Sequence, residues 1–354
     1  MLSRARTAHS SGQPAEAASF RKAPALLFPP VRDGLVPALL TRVDRTRYDV
    51  LTPTGFLQVP ALPSPRDPLG APTVGDWLAL ARLAAEVVEV LPRTSLLSRG
   101  TAKGTSKAQP LAANVDVVLI CLGLSGPLPL RRLERFLTLA WGSGATPVVV
   151  LTKADLCDDV GAAVRDVLPH APGCEVVAVC AATGEVGALS PYTASTLVLL
   201  GASGAGKSTV VNALMGSDVM STGDIRDVDG KGRHTTTHRE LLLLPGGGVI
   251  IDTPGLRGVS LHAADDGLAL AFSDVEDLAS ACRFADCRHV SEPGCAVLSS
   301  VVAGDLGQDR VDAWRKLQRE LAFQARRTDV RLRAEESRLW KARSKEQRAR
   351  APKR

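Results

Sequence analysis

Gly201, Ala202, Ser203, Gly204, Ala205, Gly206, Lys207 and Ser208 satisfy the pattern G-x-x-x-x-G-K-[ST] without a mismatch, and Thr209 follows them. Such a run does chemistry in one setting, between a strand and a helix. The flanks supply that setting: apolar "STLVLL" precedes the run and helical "TVVNALMG" follows it. Glycines let successive backbone N–H groups curl round phosphate oxygens, and a helix N-terminus adds the positive end of its dipole. Lys207 is then placed to reach the β and γ phosphates of a nucleotide, and the Ser208 hydroxyl to bind Mg²⁺.

Further along, "VIIDTPG" carries Asp252 and Gly255. A carboxylate ending a strand can hold Mg²⁺ through water, and a glycine there lets its N–H approach the γ phosphate. D-x-x-G alone is common; behind a phosphate loop it is specific. "GRHTTTHRE" lies between the two. One of Thr235, Thr236 and Thr237, with Thr236 the candidate, would close on Mg²⁺ and the γ phosphate, though a polar β-bridge uses the same residue types. Hydrolysis needs an oriented water. Leu256 follows Gly255 where many GTPases carry Gln, and Leu cannot orient water. His234 is the nearest alternative, and a structural histidine at a strand start would read the same.

Thr152, Lys153, Ala154 and Asp155 form T-K-A-D, a variant of N-K-x-D. The Asp155 carboxylate can accept from guanine N1–H and N2–H together. Adenine offers no such pair, so the wrong base would leave polar groups unmatched. The Lys153 stem would cover the base. Thr152 replaces the usual Asn, and a weaker tie to the phosphate loop is expected from it. Alone, T-K-x-D also describes a solvated loop after a strand. Cys180–Thr183, "CAAT", follows the next strand and could offer a backbone N–H to guanine O6.

Cys282, Cys287, His289 and Cys295 make a compact Cys₃His set, C-x₄-C-x-H-x₅-C. Three thiolates and an imidazole suit one tetrahedral structural Zn²⁺ with no open position for catalysis. Cys121, Cys157, Cys174 and Cys180 are scattered, and seven cysteines is an odd count. That distribution fits a reducing cytoplasm with one metal site better than a disulfide framework.

The elements that must position these residues read as three domains behind a lead-in. Residues 1–30 lack a continuous apolar stretch and read as disordered, not as a secretory signal. Residues 31–95 alternate short apolar runs with turns, such as Asp44-Arg45 and Pro53-Thr54-Gly55, which suggests a small β-barrel. From residue 96 to 260 strands alternate with helices, the rhythm of a parallel sheet covered on both faces. Residues 261–340 read as a helical zinc-binding domain, with Val311, Trp314, Leu317 and Leu321 at helical spacing to dock the last helix. Residues 341–354 are a basic tail.

Among all 354 residues the formal net charge is +6, and residues 305–354 alone hold 16 Lys/Arg against 8 Asp/Glu. The basic character therefore sits at the C-terminal end, where it suits an anionic partner. No run of about 18 apolar residues occurs, so no spanning helix and no membrane partner are expected.

One oddity organises the rest. The base reader at 152–155 precedes the phosphate loop at 201–208, the reverse of an ordinary GTPase. In a parallel α/β sheet all ligand loops lie at the carboxyl ends of strands, whatever the order in which the chain visits them. The order base reader, phosphate loop, switch threonines, D-x-x-G is that of a circularly permuted GTPase domain. It leads the chain from Gly255 directly into the Cys/His segment, so a γ-phosphate contact there would be transmitted to the C-terminal domain.

T-K-A-D, G-A-S-G-A-G-K-S-T, G-R-H-T-T-T, D-T-P-G and C-x₄-C-x-H-x₅-C, together with "LAANVDVVLICL" and "LRRLERFLTLAW", resemble the ribosome small-subunit-dependent GTPase A family (RsgA, also called YjeQ) from about Val31 to Trp340. The resemblance implies an OB-fold barrel, a permuted GTPase domain and a zinc domain. It implies GTP and GDP with Mg²⁺ as ligands, and binding to the small ribosomal subunit and its rRNA late in maturation, as a monomer. It implies subunit-stimulated hydrolysis, assembly checking and release of an assembly factor. The family's candidate water-positioning histidine matches His234. An RNA-binding module in which GTP only sets shape, with incidental turnover, is the second reading. A large-subunit permuted GTPase is disfavoured by the zinc ligands and the N-terminal barrel.

Overall fold

A computed structural model of the chain describes residues 28–63, 65, 68–100, 108–220, 240–252 and 264–328. Most of the lead-in, His234, Thr235–Thr237, Gly255 and the basic stretch from 329 onward lie outside the described residues.

The N-terminal unit is a five-stranded antiparallel sheet in the order β3-β2-β1-β4-β5. Its strands are β1 (Leu35–Val43), β2 (Arg47–Thr52), β3 (Gly55–Pro60), β4 (Trp77–Ala81) and β5 (Val87–Val90). Side chains alternate along these strands with period two, so one face gathers Ala38, Leu40, Val50, Val59, Leu78 and Leu80 into a single core. A register shift between Leu40 and Arg42 bends β1 and helps the sheet curl on that core. The opposite face of β1 and β2 presents Leu39 and Leu51, which pack with Val249 of the central sheet.

A hairpin of β6 (Leu96–Gly100) and β7 (Ala108–Ala113) joins the two units. Asn114 locks the joint. Its amide donates to Gly75 O at 2.9 Å, and its side-chain oxygen accepts from Thr94 N at 2.9 Å.

The central sheet has the order β10-β9-β8-β11-β13-β12. Its strands are β8 (Val117–Gly123), β9 (Thr146–Thr152), β10 (Glu175–Ala178), β11 (Thr196–Gly201), β12 (Glu240–Leu243) and β13 (Val249–Asp252). All neighbours are parallel except β12, which runs antiparallel to β13. Both faces are covered, which explains the unbroken apolar runs. Val118, Ile120 and Leu122 meet Leu133 and Leu137 of α1 (Leu130–Gly142) and Ala163 of α2 (Val160–Val167). Val117, Leu119 and Cys121 meet Val210 and Leu214 of α3 (Lys207–Met215).

The C-terminal unit contains α4 (Asp265–Ala271), α5 (Ser273–Ser280), α6 (Ala296–Ala303) and α7 (Gln308–Thr328). α4 crosses α1 so closely that a Cβ on Gly267 would stand 2.2 Å from Thr138 O. Val311, Trp314, Leu317 and Leu321 of α7 are buried, as their helical spacing requires. A buried ionic cluster fastens this unit to α1. Arg310 donates to Glu134 Oε1 at 3.0 Å and to both Asp274 oxygens at 2.6 and 2.7 Å. His170 Nδ1 meets the same Glu134 oxygen at 2.8 Å, and the Arg310 guanidinium lies 4.5 Å over the Phe272 ring. Glu134 and Arg310 are 1% and 3% exposed, so each charge depends on its partners. Among the described residues no helix is long and apolar enough to cross a membrane.

Candidate nucleotide and metal sites

The parallel strands end at one edge of the sheet, and the candidate residues collect there. β11 runs into the loop Gly201–Gly206 and α3 begins at Lys207. Gly206 caps α3 with a left-handed φ of +78°, and a Cβ on it would stand 3.0 Å from Thr152 Oγ1. Only glycine combines that conformation with that proximity. Ser203 and Gly204 are exposed at the loop crest, while Ala205 turns inward. Lys207 Nζ donates to Gly201 O at 3.1 Å and Ala202 O at 2.7 Å. Its ammonium is thus held over the start of the loop, the end that meets β and γ phosphates in this motif. Ser208 is half-buried in the first turn of α3, and Asp252 ends β13, the strand beside β11.

The T-K-A-D residues follow β9, which is separated from β11 only by β8. Thr152 is 1% exposed, and its hydroxyl donates to Ala205 O at 2.8 Å. The tie to the phosphate loop is therefore direct, although threonine stands in place of asparagine. Lys153 adopts a left-handed φ of +58° and its Nζ meets Ser125 Oγ at 3.3 Å. Ala154–Leu156 form a 3₁₀ turn that leaves the Asp155 carboxylate at the surface. A cavity of about 210 Å³ is bordered by Lys153, Asp155, Ala181, Ala182, Gly206 and Thr209. The T-K-A-D residues and the phosphate loop, remote in sequence, thus share one cleft.

From its sequence, "CAAT" offers the base only a backbone N–H. The structure adds a side chain: Cys180 Sγ donates to Asp155 Oδ1 at 3.1 Å. That thiol holds the carboxylate at the border of the cleft. No local signal in "VCAAT" announces it, because the contact spans two loops. Cys121, beneath the phosphate loop, has its thiol pushed up to about 12 by burial, with a smaller opposing pull from Lys207. It is a packing residue.

The four zinc candidates converge. Tetrahedral Zn²⁺, with sulfur at about 2.3 Å and nitrogen at about 2.0–2.1 Å, would hold two sulfurs about 3.8 Å apart and sulfur about 3.6 Å from nitrogen. Cys282 Sγ and Cys295 Sγ lie 3.8 Å apart, and His289 Nδ1 is 3.5 Å from the first and 3.4 Å from the second. With Cys287 included, all four ligand atoms lie within 4.8 Å of one another. The residues present fit the ion. Burial, then the charge of Arg315, pulls the His289 imidazole below its ordinary range, which favours the neutral form a metal needs. Its ring packs 5.4 Å from Trp314, whose Nε1 donates to Glu276 at 2.9 Å, so the cluster is braced against α7 and α5.

Fold and site together define a circularly permuted GTPase with a Cys₃His cluster in its C-terminal unit. A family profile described as RsgA GTPase matches residues 90–262. A protein of Streptomyces avermitilis called small ribosomal subunit biogenesis GTPase RsgA is 50% identical over 325 residues, 90% of this chain and 88% of its own length. The protein of that name from Streptomyces coelicolor is 48% identical, over 89% of this chain and 88% of its own. The crystal structure of YjeQ from Thermotoga maritima superposes with a TM-score of 0.60 at 25% identity, covering 81% of this chain and 99% of that one. The chain belongs to the RsgA GTPase family, whose chemistry is GTP hydrolysis.

Proposed function

We propose that this chain binds the small ribosomal subunit during late maturation and hydrolyses GTP there, coupling hydrolysis to assembly checking and to release of an assembly factor. The names of its relatives support the setting. The observation that carries the chemistry is the cleft itself, in which Asp155 and the loop residues Gly206 and Thr209 face one cavity.

In this reading Asp155 accepts from guanine, the Lys153 stem covers the base, and Thr152 fixes the phosphate loop. Residues Gly201–Thr209 hold the phosphates, with Lys207 on the β and γ groups. Ser208 and Asp252 would hold Mg²⁺, which supplies charge neutralisation when bound. Thr236 and Gly255 close on the γ phosphate, and His234 orients the attacking water. Cys282, Cys287, His289 and Cys295 hold one Zn²⁺ that shapes the C-terminal unit. The division at about residues 30, 95, 260 and 340 belongs to the same proposal, as do a monomeric state and a cytoplasmic setting. The basic C-terminal stretch and the N-terminal barrel would supply rRNA contacts, which makes subunit binding strongly salt-dependent.

GTP turnover with purified small subunits tests this, with large subunits and free protein as controls. Unaided turnover should be on the order of 10⁻⁴ to 10⁻² per second, as for GTPases that lack a stimulating partner. Small subunits should raise it many-fold. Stimulation by large subunits alone would reject the assignment. Loss of stimulation in His234→Ala, with GTP affinity kept, is expected if that imidazole positions water.

A further inference from the structure

A second cavity, of about 200 Å³, opens on the other side of the phosphate loop. Ala202, Ser203 and Gly204 form one wall; Ser125, Gly126 and Arg132 of the β8–α1 connection and the first turn of α1 form the other. Its place along the loop decides what it meets. The first cavity adjoins Gly206 and Thr209, beside the base reader. This one adjoins the loop start, where Lys207 Nζ is held at Gly201 O and Ala202 O. In this motif that is the terminal-phosphate end.

Arg132 is unusual in three respects. It is exposed, and while its backbone N–H donates to Pro129 O at 2.8 Å, its guanidinium has no hydrogen-bond or ion-pair partner among the described residues. Arg135, one turn on, is by contrast fastened to Glu320 by two bonds of 2.6 Å. Arg132 also sits in the first turn of a helix with no acidic residue there, where the dipole disfavours cations. A locally unfavourable charge facing a functional cavity is the kind of conflict that function explains. Arg131, its neighbour, bears the same charge in the same turn but does not line the cavity.

We propose that Arg132 is an arginine supplied in cis to the terminal phosphate of bound GTP, and that it stabilises the charge developing there during hydrolysis. The proposal rests on the GTPase reading above. In the step it assists, the oxygen of water bonds to the γ phosphorus as the bond from that phosphorus to the β–γ bridging oxygen breaks. The electron pair stays on the bridging oxygen of GDP, and the proton of water leaves to phosphate and solvent. A planar guanidinium can donate to a γ oxygen and to the bridging oxygen together, which a lysine cannot match. Arginines in this role elsewhere are worth about 10³- to 10⁵-fold in rate.

The test is single-turnover hydrolysis of GTP by the full-length zinc-loaded protein, with and without small subunits, for wild type, Arg132→Ala, Arg132→Lys and Arg131→Ala. Affinities for GDP, and for GDP with aluminium fluoride as a transition-state mimic, are measured alongside. Arg132→Ala should lose on the order of 10²-fold or more in rate and its preference for the fluoride complex, with GDP affinity kept within about threefold. Arg132→Lys should recover little, and Arg131→Ala should match wild type. Wild-type rate in Arg132→Ala, equal losses in both alanine variants, or parallel loss of GDP affinity would each overturn the proposal. If wild type itself turns over no GTP with or without subunits, the GTPase reading falls and this proposal falls with it.

Discussion

Thr152→Val removes one oxygen and changes almost nothing else. Valine has the same branched shape, and it suits the end of β9 as well as threonine does. The hydroxyl it lacks is 2.8 Å from Ala205 O and 3.4 Å from Leu122 O, at a site 1% exposed. Ala205 O then faces a methyl group in place of a donor. A buried acceptor stripped of its partner costs about 1–3 kcal/mol. The cost falls on the loop, because Ala205 immediately precedes Gly206, whose left-handed backbone is braced against Thr152. With this brace gone the phosphate loop must be ordered by the nucleotide. Up to the whole 1–3 kcal/mol would then appear as weaker binding, about 5- to 150-fold for GDP and GTP alike. Titration with a fluorescent GDP analogue reads the affinity, and thermal melting without nucleotide reads the fold. Thr152→Ser should stay near wild type because its hydroxyl can take the same direction. If Thr152→Val melts early but binds GDP normally, the bond only stabilises the fold, and the claim that it organises the phosphate loop is wrong.

Asp155→Asn should lower guanine nucleotide affinity on the order of 10²-fold, by exchanging a charged acceptor for an amide, and should raise affinity for xanthosine diphosphate, whose 2-oxo group can accept from that amide. Calorimetry with both diphosphates checks the exchange. Arg310→Met should cost about 3–5 kcal/mol because it leaves Glu134 buried without its cation, while Glu134→Met combined with Arg310→Met should recover most of it. Urea unfolding followed by tryptophan fluorescence measures this. Zinc should be found at about one ion per chain by elemental analysis, and Cys287→Ser should lose it together with exchange protection in α6. Burial pushes Cys174 up to about 11 and Cys121 up to about 12. At every pH from 7 to 9 both thiols therefore carry far less thiolate than an exposed cysteine with a pKa of about 8.5, so their alkylation in folded protein should run on the order of 10²-fold or more slower than that of an exposed thiol.

Much of the site was legible in the chain because its chemistry is local. A phosphate loop needs consecutive backbone N–H groups, so Gly201–Ser208 are neighbours in sequence as well as in space. The Cys₃His set falls within 14 residues for a similar reason: a short loop is the least costly way to bring four candidate ligands to one point. The central strands were legible from apolar runs such as "VDVVLICL", and α7 from the spacing of Val311, Trp314, Leu317 and Leu321. The β6–β7 hairpin was not, because "SLLSRG" and "AQPLAA" carry too little alternation to mark two strands. The crossing of α1 and α4 was equally hidden, since Gly142 and Gly267 have no side chains to signal it.

What the sequence determined by itself is the inventory: a phosphate-loop motif, a T-K-A-D motif placed before it in permuted order, a Cys₃His set and a basic end. Those are patterns of residue type at short range. Only the tertiary structure decided which loops share a cleft: that Thr152 rather than an asparagine bridges to Ala205, that Cys180 holds Asp155, that Arg132 faces the start of the phosphate loop, and that Arg310 and Glu134 neutralise each other across two units. Each of these joins segments tens to hundreds of residues apart. Their distances are set by strand order and helix packing, which depend on how the whole core is filled and leave no mark at any one position.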